Sequence, residues 1–126
     1  MSSPSRVFAV LGLFSQDKPV WHTDDINAAL GYTRATGYRY VKELVDAGFL
    51  QKVSVGCHAL GARIIELDYQ LRQSDPVLLA AIPVMESLAA RAGLDVVLSA
   101  LFGGDRVIDT HRVQAGRGLK LHYGRG

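Results

Sequence analysis

Two helix starts and two helix stops follow one another within residues 23–48, and this spacing constrains the fold more than any other feature of the chain. Thr23 is a possible N-cap, and the acidic pair Asp24-Asp25 behind it suits the positive end of a helix dipole. Gly31 can take the left-handed conformation that ends a helix. Thr33 is the next possible N-cap, and Gly48 is the next stop. The spacing predicts a short helix, a brief turn and a longer helix, which together make a helix-turn-helix.

Another helix is expected before this pair. Apolar residues spaced three and four apart predict it over residues 5–15. Its inward face would consist of Val7, Val10, Leu11 and Phe14. Residues 20–22 read as a short extended stretch, and the second helix would turn Ile26, Ala29 and Leu30 inward.

Two short β-compatible runs follow the helix pair, at residues 49–53 and 57–60. They are separated by Ser54, Val55 and Gly56, so we expect a β-hairpin. A hairpin directly after a helix-turn-helix is a wing. Residues 1–61 are therefore predicted to form a winged helix-turn-helix domain.

The second half of the chain has its own helix and strand patterns. Residues 62–74 are assigned to a linker helix, whose periodic part covers 62–73. Its apolar stripe, Ile64, Leu67 and Leu71, is too narrow to be covered by its neighbours, so we expect a dimer interface there. Asp75-Pro76 begins a further helix that ends at Gly93. Residues 96–102, 107–113 and 119–123 predict two or three antiparallel strands. The fold class is α+β, with residues 75–126 as the start of an α/β domain.

The third helix separates an inward face from an outward face. At about 100° per residue, Gly37, Val41 and Leu44 point inward, with Tyr40 and Val45 at the edges. The outward side carries Ala35, Arg39, Lys42 and Asp46, with Arg34 and Tyr38 on a flank.

No acidic residue precedes Glu43 in this helix, so the outward side of its N-terminal half is basic. A basic helix alone would more often be an ordinary solvated face, but the short helix, turn and hairpin around it favour entry into the major groove of DNA. The residues expected to contact double-stranded DNA are Thr33, Arg34, Ala35, Thr36, Tyr38, Arg39, Lys42 and, on the wing, Lys52.

Composition excludes several classes of protein. The formal net charge of +2 cannot by itself identify a nucleic-acid-binding protein, so the placement of basic residues has to carry that argument. Cys57 is the one cysteine, which rules out an intramolecular disulfide and suits a reducing cytoplasm. No apolar stretch reaches membrane length, so we expect neither secretion nor membrane insertion.

Catalysis and metal binding find no support in the spacing of reactive residues. His22, His58, His111 and His122 fall on four different predicted elements, whereas a zinc site usually includes a close pair of ligands. Cys57 and His58 are adjacent in a strand and would point to opposite faces. The glycines at 116–118 and 124–126 lack the order of a phosphate-binding loop. The chain is expected to have no enzyme activity, no metal and no cofactor.

Several of these segments together resemble the isocitrate lyase regulator (IclR) family of transcription factors. The resemblance rests on residues 6–11, 36–44, 47–50, 58–61 and 83–89. It implies a homodimer or tetramer whose winged domains bind partly palindromic operators. It also implies that a small organic acid or similar metabolite binds a C-terminal effector domain, of which residues 75–126 would be the first part.

The chain departs from the family pattern in places. Gly37 stands where the family usually has a β-branched residue, His58 replaces the usual wing aromatic, and the wing tip has no arginine. Family members also continue past the point that corresponds to Gly126, so we expect a fragment or a truncated product. The alternative hypothesis is a winged helix that binds protein, which would tend to expose aromatic or acidic residues on the third helix.

Overall fold

The computed structural model describes residues 3–115, and the chain divides into two compact units, Met1–Tyr69 and Gln70–Gly126. In the first unit, α1 (Ser3–Leu11), β1 (Trp21–His22), α2 (Thr23–Leu30) and α3 (Arg34–Asp46) precede the wing strands. The wing consists of β2 (Leu50–Ser54) and β3 (Cys57–Leu60), and α4 (Ala62–Ser74) follows it. The three strands form an antiparallel sheet in the order β1-β3-β2. The predicted winged helix-turn-helix is confirmed.

The caps of α2 and α3 fix the helix pair. Thr33 caps α3, because its hydroxyl accepts a hydrogen bond from the backbone N–H of Thr36 at 3.3 Å. Gly31 ends α2 in the left-handed conformation. The predicted N-cap of α2 is wrong by one residue: Nδ1 of His22 accepts the backbone N–H of Asp24 at 3.0 Å, and Thr23 is the first helical residue. Thr23 is fully buried, and its hydroxyl donates instead to the carbonyl of Gly56.

The core of this unit is built around the inner face of α3. Its buried members are Val10, Ile26, Tyr40, Val41, Leu44 and Leu50. Tyr40 was predicted at the edge of the face and is instead 2% exposed, because the ring of Tyr32 packs edge-on against it with ring centroids 5.5 Å apart. The Tyr32 hydroxyl donates to the carbonyl of Arg6 at 2.8 Å, which ties α1 to the turn.

Other predicted boundaries in this unit are also corrected, and α1 begins at Ser3 rather than at residue 5, while β2 begins at Leu50 rather than at residue 49. Helix α1 ends at Leu11 rather than at residue 15, because the N–H groups of the next three residues bond to carbonyls three positions back in tight turns. Phe14 still packs against the core from this turn. In the wing, Ser54 belongs to β2, and the turn consists of Val55 and Gly56.

Helix α2 contacts α3 at a point where only a glycine fits. Ala29 was predicted to point inward but is exposed, whereas Asn27 is buried. A Cβ atom on Gly37 would overlap the side-chain amide of Asn27. The absence of a side chain at Gly37 therefore lets the two helices approach closely. This packing explains why position 37 holds glycine rather than the β-branched residue expected from the family pattern.

The second unit contains the end of α4, then α5 (Pro76–Ala92), β4 (Val96–Phe102) and β5 (Arg106–Val113). Asp75 caps α5 by accepting the N–H of Val77 at 3.0 Å, as its sequence predicts. The strands pair in antiparallel register around the turn at residues 103–105, and α5 packs against both. β5 begins at Arg106, one residue before its predicted start. The third predicted strand, at 119–123, lies outside the described residues.

The close approach at Gly37 gives a first prediction. Gly37→Ala would favour a free helix by about 1 kcal/mol, but we expect it to lower the free energy of unfolding by roughly 1–3 kcal/mol through overpacking against Asn27. Urea denaturation of Gly37→Ala and of the double variant Asn27→Ala/Gly37→Ala measures this. Asn27→Ala makes room for the methyl group. Adding Gly37→Ala to Asn27→Ala should therefore not lower the free energy of unfolding. Equal costs in both backgrounds would contradict the contact.

Candidate nucleic-acid interface

The outward side of α3 is exposed along its length. Ala35, Arg39, Lys42 and Asp46 are exposed, as the helical periodicity predicts. Thr33 and Arg34 are exposed at the start of the helix, Tyr38 is 38% exposed, and Thr36 is partly buried. The structure therefore brings the expected contacts of this helix onto one surface, with Thr36 at its margin.

Aromatic rings support the two arginines of this surface. The guanidinium of Arg34 lies 5.4 Å from the ring centroid of Tyr38, and that of Arg39 lies 5.3 Å from the centroid of Tyr40. The Tyr38 hydroxyl in turn donates to Oδ1 of Asp24 at 3.3 Å. Because Tyr40 is fixed in the core, its ring is a rigid support for the side chain of Arg39. Its donors remain available for a bidentate contact with a base or phosphate.

Lys42 is held by a neighbour on the same helix. Its Nζ lies 2.7 Å from Oδ2 of Asp46 one turn later. The hydrogen bond and negative charge of Asp46 raise the pKa of Lys42, so this side chain remains an ammonium. Both side chains are well exposed, and a pair of this kind is weak enough to open when a phosphate competes for the lysine.

The wing contributes Lys52 from the exposed strand β2. Lys52 is the cross-strand partner of His58 on β3, and on the other side of β3 His58 faces Trp21 of β1. Residues paired across strands project from the same face of a sheet. At the tip, Val55 is 87% exposed, and Gly56 has a positive φ of 74°, a conformation that favours glycine.

A cleft of about 290 Å³ separates α3 from the wing. Val41 and Val45 form an apolar wall, and Lys42, Lys52, Tyr38 and His58 also line it. His58 is buried, and its Nδ1 has no hydrogen-bond partner within residues 3–115. Burial lowers the pKa of His58 below its usual value, a hydrogen bond with the backbone of Gly56 acts in the opposite direction, and the electrostatic interaction with Lys52 lowers it further. The sequence pattern did not single out this cleft or the role of His58 in it.

The apolar stripe on α4 is open to solvent in the described structure. Leu67 is 40% exposed and Leu71 is 62% exposed, and Ile64 is partly buried. No residue of this 13-residue helix is buried.

Other kinds of site find no support in the part of the chain that the structure describes. There, no three His, Cys, Asp or Glu side chains lie close enough together to bind a metal ion. Within residues 3–115, no helix is long and apolar enough to cross a membrane. Cys57 is a free thiol of intermediate exposure.

Comparison with known proteins assigns the first unit. The family model of the IclR helix-turn-helix domain matches residues 3–54, which include α1, the helix pair and the first strand of the wing. The helix-turn-helix of the first unit is therefore of the IclR type. No curated protein matches the chain significantly.

Solved structures of IclR regulators match beyond the helix-turn-helix domain. A regulator from Silicibacter sp. TM1040 is 25% identical with a TM-score of 0.81, over 98% of this chain and 49% of its own. A protein from Rhodococcus sp. RHA1 described only as a transcriptional regulator is 26% identical with a TM-score of 0.77, over 100% of this chain and 49% of its own. An IclR homologue from Microbacterium hydrocarbonoxydans, solved with 4-hydroxybenzoate, is 27% identical with a TM-score of 0.71, over 95% and 50%. The present chain thus spans about half the length of these proteins.

The buried histidine of the wing predicts how stability depends on pH. Because the pKa of His58 is lowered in the folded protein, the unfolded chain binds a proton more readily. Its contribution to stability is therefore complete above the ordinary histidine pKa of about 6.5 and is lost as the pH falls below that value. Thermal melts from about pH 8 to about pH 5 should show this loss.

His58→Gln cannot titrate and should flatten the profile, while His111→Gln, in the other unit, should leave it unchanged. An identical pH profile for His58→Gln and the parent would contradict the assignment.

Proposed function

We propose that this chain is the DNA-binding part of a transcriptional regulator and reads operator DNA with α3 in the major groove. The observation that carries the proposal is the exposed basic row of Arg34, Arg39 and Lys42 on the outward side of α3, opposite a face that is fully packed. A rigid helix with arginines in its N-terminal half suits bidentate contacts with guanine. Lys52 would hold a phosphate from the wing. We infer a cytoplasmic location for the chain, where operator DNA of this kind would be found.

The residues of α3 would divide into base contacts and backbone contacts. Arg39 lies near the middle of the outward side, so it is the candidate for reading a base edge. Lys42, a point charge already balanced by Asp46, suits a phosphate. Thr33, Ala35 and Thr36 lie at the end of the helix that would enter the groove first.

Self-association forms a second part of the proposal. The exposed stripe Ile64, Leu67 and Leu71 on α4 would pack against the same stripe of another copy, in a dimer or a tetramer. A dimer would present two copies of α3 to two half-sites, so we expect a partly palindromic operator.

Metabolite sensing is proposed for the whole protein. The homologue from Microbacterium hydrocarbonoxydans was solved with 4-hydroxybenzoate, so we infer that a small organic acid would bind the domain that begins at residue 75. The present chain matches only about half of such regulators, and residues 75–126 would supply only part of that pocket.

Arg39 and Lys42 should respond differently to substitution. A binding site is first selected from a random duplex pool. Arg39→Ala should then weaken binding to the selected site by roughly 1–3 kcal/mol and weaken binding to random DNA much less. Lys42→Ala should weaken binding to both DNAs alike, and it should reduce the slope of log affinity against log salt concentration by about one. Fluorescence anisotropy at several salt concentrations, on variants that melt like the parent, measures both. Unchanged affinity of Arg39→Ala for the selected site would contradict the role of α3 and favour a protein-binding module.

The stripe on α4 should determine the oligomeric state. Sedimentation velocity at micromolar concentration is expected to show a dimer, and Leu67→Glu should shift it to monomer by burying a charge in the interface. Ile65→Glu is the matched control, because Ile65 is 72% exposed on the same helix but lies off the stripe. A parent that remains monomeric, or equal effects of the two substitutions, would overturn the assignment.

A further inference from the structure

The cleft between α3 and the wing combines positive charge with an unpaired buried nitrogen. Lys52 and His58 face each other across β2 and β3 and project from one face of the sheet. Both line the cleft. His58 is 8% exposed, and Nδ1 has no partner in the described part of the chain, which destabilises the free protein.

The two lysines of the cleft differ in their surroundings. Lys42 is paired with Asp46 at 2.7 Å. No acidic side chain within residues 3–115 forms an ion pair with Lys52 on the opposite rim. Lys52 therefore lacks the neutralising partner that Lys42 has, and an anion entering the cleft would supply it.

We propose that the cleft binds one phosphate group beside Lys52, and that His58 takes up a proton as this phosphate docks. The inference rests on the proposed function for its source of phosphate, which is a phosphodiester of the DNA backbone. Free inorganic phosphate offers the same chemistry and is tested separately below. A cleft of about 290 Å³ is larger than one phosphate needs, and the wall of Val41 and Val45 suits the sugar that a phosphodiester carries.

Proton uptake follows from the charges that surround His58. The groups facing it are Lys52 on β2, His22 on β1, and Lys42 and Tyr38 on α3. Asp24, at the start of α2, is engaged by the hydroxyl of Tyr38 and lies 3.7 Å from His22. In the free protein, burial and the positive charge of Lys52 oppose an imidazolium, while a hydrogen bond with the backbone of Gly56 favours it. A phosphate beside Lys52 adds negative charge to this set and stabilises the imidazolium form.

The first test uses small anions on the whole chain. NMR titration of the His58 ring should give a pKa that is higher in dimethyl phosphate than in sodium chloride of equal ionic strength, by about half a pH unit or more. Lys52→Gln should abolish this rise. Lys18→Gln is the matched control, because Lys18 lies over the ring of Trp21 and does not line the cleft. The same pKa in both salts overturns the phosphate site, and a rise with inorganic phosphate alone overturns the phosphodiester as its occupant.

The second test uses the selected DNA duplex. Calorimetry near pH 6, in buffers with different heats of ionisation, should show that the parent takes up a fraction of a proton on binding, up to about one. His58→Gln should lose this uptake, and His111→Gln should keep it. Uptake that persists in His58→Gln contradicts the assignment, and if that variant does not fold, the titration of the parent decides.

The two tests separate this inference from the function on which it rests. If the chain binds no duplex but the pKa of His58 rises in dimethyl phosphate, the cleft stands as a phosphodiester site and the proposed function is contradicted. If duplex binding depends on Arg39 but His58 responds to neither DNA nor small anions, the proposed function stands and the phosphate site in the cleft is contradicted.

Discussion

The burial of one face of α3 is the interaction on which the rest of the first unit depends. Tyr40, Val41 and Leu44 pack with residues of α1, α2 and β2 in one apolar core. Burying side chains of this size contributes roughly 1.5–3 kcal/mol each, so rotation of α3 about its axis would be strongly opposed. Because this face is fixed, the opposite row that carries Arg39 has one orientation relative to the wing. The close contact between Gly37 and Asn27 sets how near α2 lies to that row.

The sequence was sufficient wherever local chemistry decides the structure. The hydroxyl of Thr33, the left-handed glycine at 31 and the Asp75-Pro76 start each determine a helix end through neighbouring backbone groups. The sequence failed where a distant contact decides. The N-cap of α2 shifted to His22 because Thr23 is hydrogen-bonded to the carbonyl of Gly56 in the wing turn. Tyr40 moved from edge to core because Tyr32 covers it, which periodicity alone cannot reveal.

The candidate site shows the same division. The outward row of α3 followed directly from helical periodicity, and its exposure is as predicted. The pairing of Lys52 with His58 was also within reach, because a three-residue turn at 54–56 places them opposite each other. With the observed two-residue turn, the same pairing arises from the irregularity between Lys52 and Ser54. What the sequence could not indicate is that α3 covers this face of the sheet, which turns an ordinary cross-strand pair into a cleft with a buried imidazole. The bond from Tyr38 to Asp24 likewise depends on how α2 and α3 are packed.

The central claim is that the outward row of α3 reads base edges in the major groove, and methylation interference tests it most directly. Methyl groups at guanine N7 occupy the major groove, whereas those at adenine N3 occupy the minor groove. In a selected duplex, our account predicts that methylation at N7 of at least one guanine per half-site excludes the DNA from the bound fraction. Binding that tolerates methylation at every guanine N7 but is blocked at adenine N3 would contradict it.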